Sequence, residues 1–149
     1  MKDLPLSEIT LRKYEKPANL EKRELIRKIC LSLGFLQLGD SRDVIVDILM
    51  VMIDSRNEKL TSDEINSRVE NMRKKYSLDI KGLAESNIRR QLKRLRDGML
   101  IDKQNNLYFL HENDSLKNIF EKNVEKFLVP QIIIRIKEYL EELEKKDKI

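Results

Sequence analysis

The chain has 149 residues, of which 38% are charged, 40% apolar and 5% aromatic, with no tryptophan and a formal charge of +4 at pH 7. That length suits one domain with a real core, and 4 Gly with 3 Pro is too little turn chemistry for a sandwich or barrel. A single cysteine and a single histidine exclude a disulfide framework within the chain and the usual zinc ligand sets.

Residues 1–18 mix apolar and charged residues without a sustained period, are broken by Pro5 and Pro17, and read as an arm. The arm carries Arg12, Lys13, Tyr14 and Lys16, suited either to lying along a nucleic-acid backbone or to swapping onto a partner subunit. No charged leader with a long apolar stretch opens the chain, so a cytoplasmic setting is expected. Asn19 is expected to cap a first helix reaching about Leu33, with Ile26, Ile29, Cys30 and Leu33 on one stripe and Gly34 as left-handed terminator. Asp40 or Ser41 then caps a second helix, about Arg42 to Arg56. Its run Val44 to Ile53 is apolar nearly all round, which makes it central. At ten residues interrupted by Asp47, the run is about half of what a bilayer crossing needs. Met50 and Met52 are read as core filler, and Asp47 as paired or reaching the surface. Cys30 is read as core rather than redox sensor.

The sequence Thr61, Ser62, Asp63, Glu64, Ile65 predicts a capped third helix with acids in its first turn. Ile65, Val69 and Met72 mark its buried side, and Arg73, Lys74, Lys75 and Tyr76 close it. After a connection from about Ser77 to Glu85, Ser86 is expected to cap a fourth helix, Asn87 to about Asp97, seated by Ile88, Leu92 and Leu95. Gly98 ends it. Met99 to Ile101 and Leu107 to Leu110 then form a two-stranded ribbon, with Asn105 and Asn106 tolerating the left-handed backbone of a tight hairpin. His111 follows as a surface residue. From Asp114 the chain is helical again, with Pro130 marking a kink or restart and the last segment running from Gln131 to about Lys146.

The net charge is unevenly placed. Residues 87–110 carry Arg89, Arg90, Lys93, Arg94, Arg96 and Lys103 against Asp97 and Asp102, an excess equal to that of the whole chain. Such a concentration is the electrostatic footprint of a polyanion reader. At about 100° per residue, Leu92 and Leu95 fall within about 40° of Ile88, whereas Ser86, Arg90, Lys93 and Arg94 fall on the opposite side. Asn87 lies on the first turn, and Arg89 and Arg96 flank the seated face.

This order of helices, followed by glycine and a polar-tipped hairpin, resembles the winged helix-turn-helix family of DNA-binding domains. The resemblance spans about residues 42–110 and is carried by the start of the third helix, Leu60 to Ile65, and by the run from Ser86 to Ile101. The outline as a whole is similar to dimeric regulators of the multiple-antibiotic-resistance type. The connection from Ser77 to Glu85 departs from the pattern, being longer than the three or four residues of a tight helix-turn-helix, and brings in Lys81 as a further phosphate contact.

The resemblance implies a mainly α fold of about six helices plus a two-stranded β-wing. The domains expected are an arm at 1–18, a winged domain at 19–112 and a helical dimerisation segment at 113–149. It implies a sequence-specific double-stranded DNA-binding transcriptional regulator, with the recognition helix 86–97 in the major groove. The expected DNA contacts are Ser86, Asn87, Arg89, Arg90, Lys93 and Arg94, with Lys103, Gln104, Asn105 and Asn106 at the wing tip. A homodimer is expected because Leu116, Ile119, Phe120, Val124, Phe127, Ile132, Ile133, Ile136, Leu140 and Leu143 exceed what a winged domain could cover. The alternative reading is a winged-helix module that binds protein in a larger assembly. No phosphate-binding glycine loop, nucleophile elbow or metal-binding helix is present in the sequence, so no catalytic residue, cofactor or metal is expected.

Overall fold

A computed structural model describes residues 3–40 and 42–147. Ser41, one of the two expected caps of the second helix, lies outside the described residues, as do Met1, Lys2, Lys148 and Ile149 at the ends of the expected arm and dimerisation segment. The described chain is mainly helical, with one two-stranded antiparallel sheet.

The first helix, α1, spans Lys22–Ser32. Glu21 stands at its N-cap in extended conformation, and Asn19, the expected cap, instead turns left-handed two residues earlier (φ 55). Gly34 terminates the helix at φ 77, with the Phe35 amide donating to the Cys30 carbonyl at 2.8 Å and the Gly34 amide to Leu31 at 3.2 Å. This is the paired-bond ending that a left-handed residue permits. The arm packs back on it: a Cβ on Gly34 would stand 2.5 Å from Thr10 Cβ. Arg12 donates to the carbonyls of Leu31 (2.9 Å) and Leu36 (3.0 Å), and Tyr14 joins the core. This part of the arm is therefore fastened to its own α1 and the turn that follows it.

The second helix, α2, spans Val44–Asp54. Every residue from Val44 to Met52 is buried, and α1, α3 and α4 all pack on it. Asp40 does not cap it; its carboxylate accepts the Gln37 amide in the preceding turn. The third helix, α3, spans Ser62–Lys75 and opens with a complete capping box, Thr61 with Glu64. The fourth, α4, spans Glu85–Asp97 with Ala84 at its N-cap, so Ser86 lies inside the first turn and is not the cap.

The helix α4 ends on Gly98, but the left-handed residue is Met99 (φ 64), whose amide donates to Arg96 while that of Leu100 donates to Leu95. Gly98 is needed for another reason: a Cβ there would sit 2.6 Å from Phe35 Cζ. The strands β1, Ile101–Gln104, and β2, Leu107–Leu110, pair from Ile101↔Leu110 to Gln104↔Leu107. The second strand matches its expected span, whereas β1 starts two residues later than expected and runs on to the tip, because Asn105 (φ 52) and Asn106 (φ 66) alone make the turn. Leu60 adds a bridge to Tyr108 through two backbone bonds of 3.0 and 2.7 Å.

After a short 3-10 turn at His111–Asn113, one helical rod runs to the end of the described chain. It comprises α5 (Leu116–Ile119), a π-helical stretch (Phe120–Leu128) and α6 (Val129–Asp147). Ile119, Val124 and Leu128 are buried, while Asn123, also buried, donates to the Met99 carbonyl at 2.8 Å. Pro130 neither stops nor restarts the rod. It follows wide turns bonded i to i+5, in which the missing amide and the ring's demand for space are easier to meet than in a tight α turn. Nothing on α6 is buried.

Candidate nucleic-acid interface

The site is built on α4. Ile88, Leu92 and Leu95 are 0% exposed and seat the helix against α2 and α3, which turns Ser86, Arg89, Arg90, Lys93 and Arg96 to the surface. The outward side chains are not equivalent. Arg89 is paired with Glu85, and Lys93 with Asp97 at 2.9 Å, each one turn away on the same helix. Among the described residues Arg90 and Arg96 pair with no carboxylate.

Two expected contacts are turned inward. Asn87 donates to the Gly82 carbonyl at 2.8 Å and accepts from Gln91 at 3.1 Å, so it fastens the α3–α4 connection. Arg94 is half-buried and donates to Gln91 Oε1 (2.9 Å) and the Gly34 carbonyl (3.3 Å). The wing tip lies apart: Gln104, Asn105 and Asn106 are exposed, and Lys103 stands 5.6 Å over the Tyr108 ring.

The long connection before α4 is ordered by side chains of α3. Asn66 donates to the Leu83 carbonyl at 2.9 Å, and Arg73 donates through Nε to the Asp79 carbonyl. Gly82 turns left-handed there (φ +85) against Val44. Arg73, read from the sequence as part of a basic helix end, is only 5% exposed. Its guanidinium meets Asp47, which is 0% exposed, and Asp43 at 3.2 Å. From the other side Arg23 donates to Asp47 (2.9 Å) and Asp43 (3.0 Å). Asp47 is thus buried and doubly paired. Burial alone would raise the Asp43 carboxyl, but the hydrogen bonds and charges of Arg23 and Arg73 outweigh it and hold the group below its ordinary range. For Arg23, burial opposes the charge, and the two aspartates still leave its pKa raised. These partners, Arg23 and Arg73 above all, give no local signal, since they lie on three different helices.

Other residues singled out by the sequence have structural surroundings. His111 is half-buried rather than a surface residue, with Nδ1 2.8 Å from Asp102. Cys30 is 0% exposed, and burial pushes its thiol up to about 12, a poor setting for redox chemistry. Among the described residues no group of three or more His, Cys, Asp or Glu could hold a metal ion.

The expected dimerisation residues divide along the rod. Ile119 and Val124 are buried in the chain's own core, and Leu116 packs against it, so these three are not open to a partner. Phe120 and Ile132 are half-buried, whereas Phe127, Ile133, Ile136, Leu140 and Leu143 are exposed. No helix among the described residues is long and apolar enough to cross a membrane. No protein-family model, curated protein or solved structure matches the chain.

Proposed function

We propose that the protein is a sequence-specific double-stranded DNA-binding regulator of transcription, acting as a homodimer with α4 in the major groove. The observation that carries this reading is α4 itself: a helix seated by three fully buried aliphatics that turns Arg89, Arg90, Lys93 and Arg96 to solvent. Arginine on such a face can engage guanine edges bidentately, or phosphates. The order α2, bridging Leu60, α3, α4 and hairpin supports a winged helix-turn-helix, with Lys103 and the asparagine turn as the tip of the wing.

The exposed stripe of α6 supports the dimer. Ile133, Ile136, Leu140 and Leu143 recur at alternating steps of three and four, the spacing of a two-helix seam. A second copy is the favoured occupant because the helix is complementary to itself when reversed. Arg135 and Lys137 precede the seam's acidic end, Glu138, Glu141, Glu142 and Glu144. Arg135 pairs with Glu138 (3.0 Å) and Lys145 with Glu142 (3.2 Å) within the helix, which leaves Glu141 and Glu144 to face Lys137 of a reversed copy. Such a two-fold dimer would set two α4 helices about one DNA turn, roughly 34 Å, apart.

The test is binding to genomic DNA fragments across a salt series. Affinity falls steeply with salt, at a slope set by the phosphates neutralised, and Arg90→Ala with Lys93→Ala, both exposed on the outer face of α4, abolishes specific binding. Unchanged specific binding by a folded double variant would remove α4 from the groove. The ion pairs Arg89 with Glu85 and Lys93 with Asp97 favour a second reading, a winged module that docks on protein, since they halve the free charge of the outer face. Binding that is insensitive to salt would favour that reading.

A further inference from the structure

Four cations that no carboxylate neutralises among the described residues, Arg42, Lys81, Arg90 and Arg94, border a single cleft of about 730 Å³ beside α4. Arg42 and Lys81 are exposed on its rim, from the α1–α2 and α3–α4 connections. Arg90 and Arg94 line it from one flank of α4. The other flank of that helix differs, because Arg89 and Lys93 already have acidic partners. Of the three α4 cations without an acidic partner among the described residues, Arg90 and Arg94 stand on the cleft side and Arg96 on the other flank.

Three carboxylates also border the cleft, each accepting hydrogen bonds from the chain itself, and with Arg73 counted they face five cations. Asp43 is held by Arg23 and Arg73, Asp79 accepts the Lys81 amide (2.8 Å) and Asp40 the Gln37 amide (2.9 Å). The inner wall includes Phe35, Leu36, Val44 and Ile45, all buried in the core. The helix α2 opens at this wall without a side-chain cap, so the positive end of its dipole adds to the field of the cations.

We propose that this cleft is a phosphate-binding site. Arg42 and Lys81 grip the phosphate from the rim, and Arg90 with Arg94 supply guanidinium donors suited to its oxygens. The assignment deepens the DNA reading given above: it makes the cleft flank of α4 the backbone-holding side, with Arg42 as a contact outside the helix. Phosphate presented by a duplex backbone and phosphate on a small molecule share this chemistry, and the test separates them.

The test measures binding of a DNA duplex of about two helical turns and of sodium pyrophosphate. Three full-length proteins are compared: wild type, Arg42→Gln with Lys81→Gln, and the charge-matched Lys117→Gln with Lys145→Gln on the rod. Both altered pairs are exposed, and far-UV circular dichroism checks that each variant folds. The cleft variant is expected to lose about tenfold or more in duplex affinity and to flatten the salt slope by about two, with the rod variant near wild type. Pyrophosphate binding that the cleft variant loses, without duplex binding, would uphold the cleft and overturn the DNA reading. Equal duplex binding by the cleft and rod variants would overturn the cleft and leave the DNA reading standing. Binding of neither probe by wild type would overturn both.

Discussion

Replacing Asp47 by asparagine tests the electrostatic frame under α4. The carboxylate accepts hydrogen bonds from Arg23 Nε and Nη2 and from Arg73 Nη1, and hydrogen bonds to a charged group contribute about 1.5–3 kcal/mol each. The loss is smaller than their sum because Asp43 still touches both arginines. Arg23, at 18% side-chain exposure, also recovers some solvation, while Arg73 does not. The expected cost is about 3 kcal/mol, the low end for breaking a buried pair, equivalent to a drop in Tm of about 6–12 °C for a chain of this size. Asp47→Leu, which removes the acceptor altogether, should cost more. Urea unfolding followed by circular dichroism measures both. If either variant unfolded within about 1 kcal/mol of wild type at unchanged slope, Asp43 alone would suffice to hold the arginines and the reasoning would fail.

Three further outcomes are expected. The Asp43 carboxyl is held below its ordinary 3.8, so its contribution is complete above that pH and is lost as pH falls through the lowered value; acid titration of the urea midpoint should show a shallower limb in Asp43→Asn. At the end of α4, Gly98→Ala should destabilise by about 1–3 kcal/mol through the clash with Phe35. Met99→Gly should instead stabilise by up to about 1 kcal/mol by relieving a left-handed side chain; thermal melts with the opposite order would refute both assignments. Under the proposed dimer, wild type should sediment as a dimer at micromolar concentration and Ile136→Glu with Leu140→Glu as a monomer, with the circular dichroism of the folded body intact.

Where a pattern was local, the sequence disclosed it. The run from Val44 to Ile53, apolar but for Asp47, requires a central helix, Thr61 with Glu64 encodes a capping box, and Asn105 with Asn106 encodes a two-residue turn. The features it hid depend on distant partners. Gly98 reads as a helix terminator, yet its lack of a side chain serves Phe35, 63 residues earlier in the chain. Arg73 reads as one of three basic residues favouring a helix end, and only the fold brings Asp43 and Asp47 beneath it. Ser86 offers a better capping side chain than Ala84, but the extended backbone at Ala84, followed by the Asn87 bond to Gly82, starts the helix earlier. At the interface, Arg90 was legible as an outward residue from the 3.6-residue period, while the inward bond of Arg94 to Gly34 depends on a turn that the period does not describe. The π-helical stretch had a signal that an α-helical wheel blurs: Ile119, Val124 and Leu128 are five and four apart.

Those wide turns govern how the two ends of the rod are geared to each other. A ring closed from i to i+5 takes in one residue more than an α turn, so two of them set the apolar stripe back by roughly half a revolution. The helix α6 buries nothing on any side, so what these turns set is the bearing of its apolar stripe relative to the body. Adding or deleting a residue between Phe120 and Leu128 would re-aim the outer stripe like a crankshaft and, in the proposed dimer, change the bearing of one α4 relative to the other without touching either.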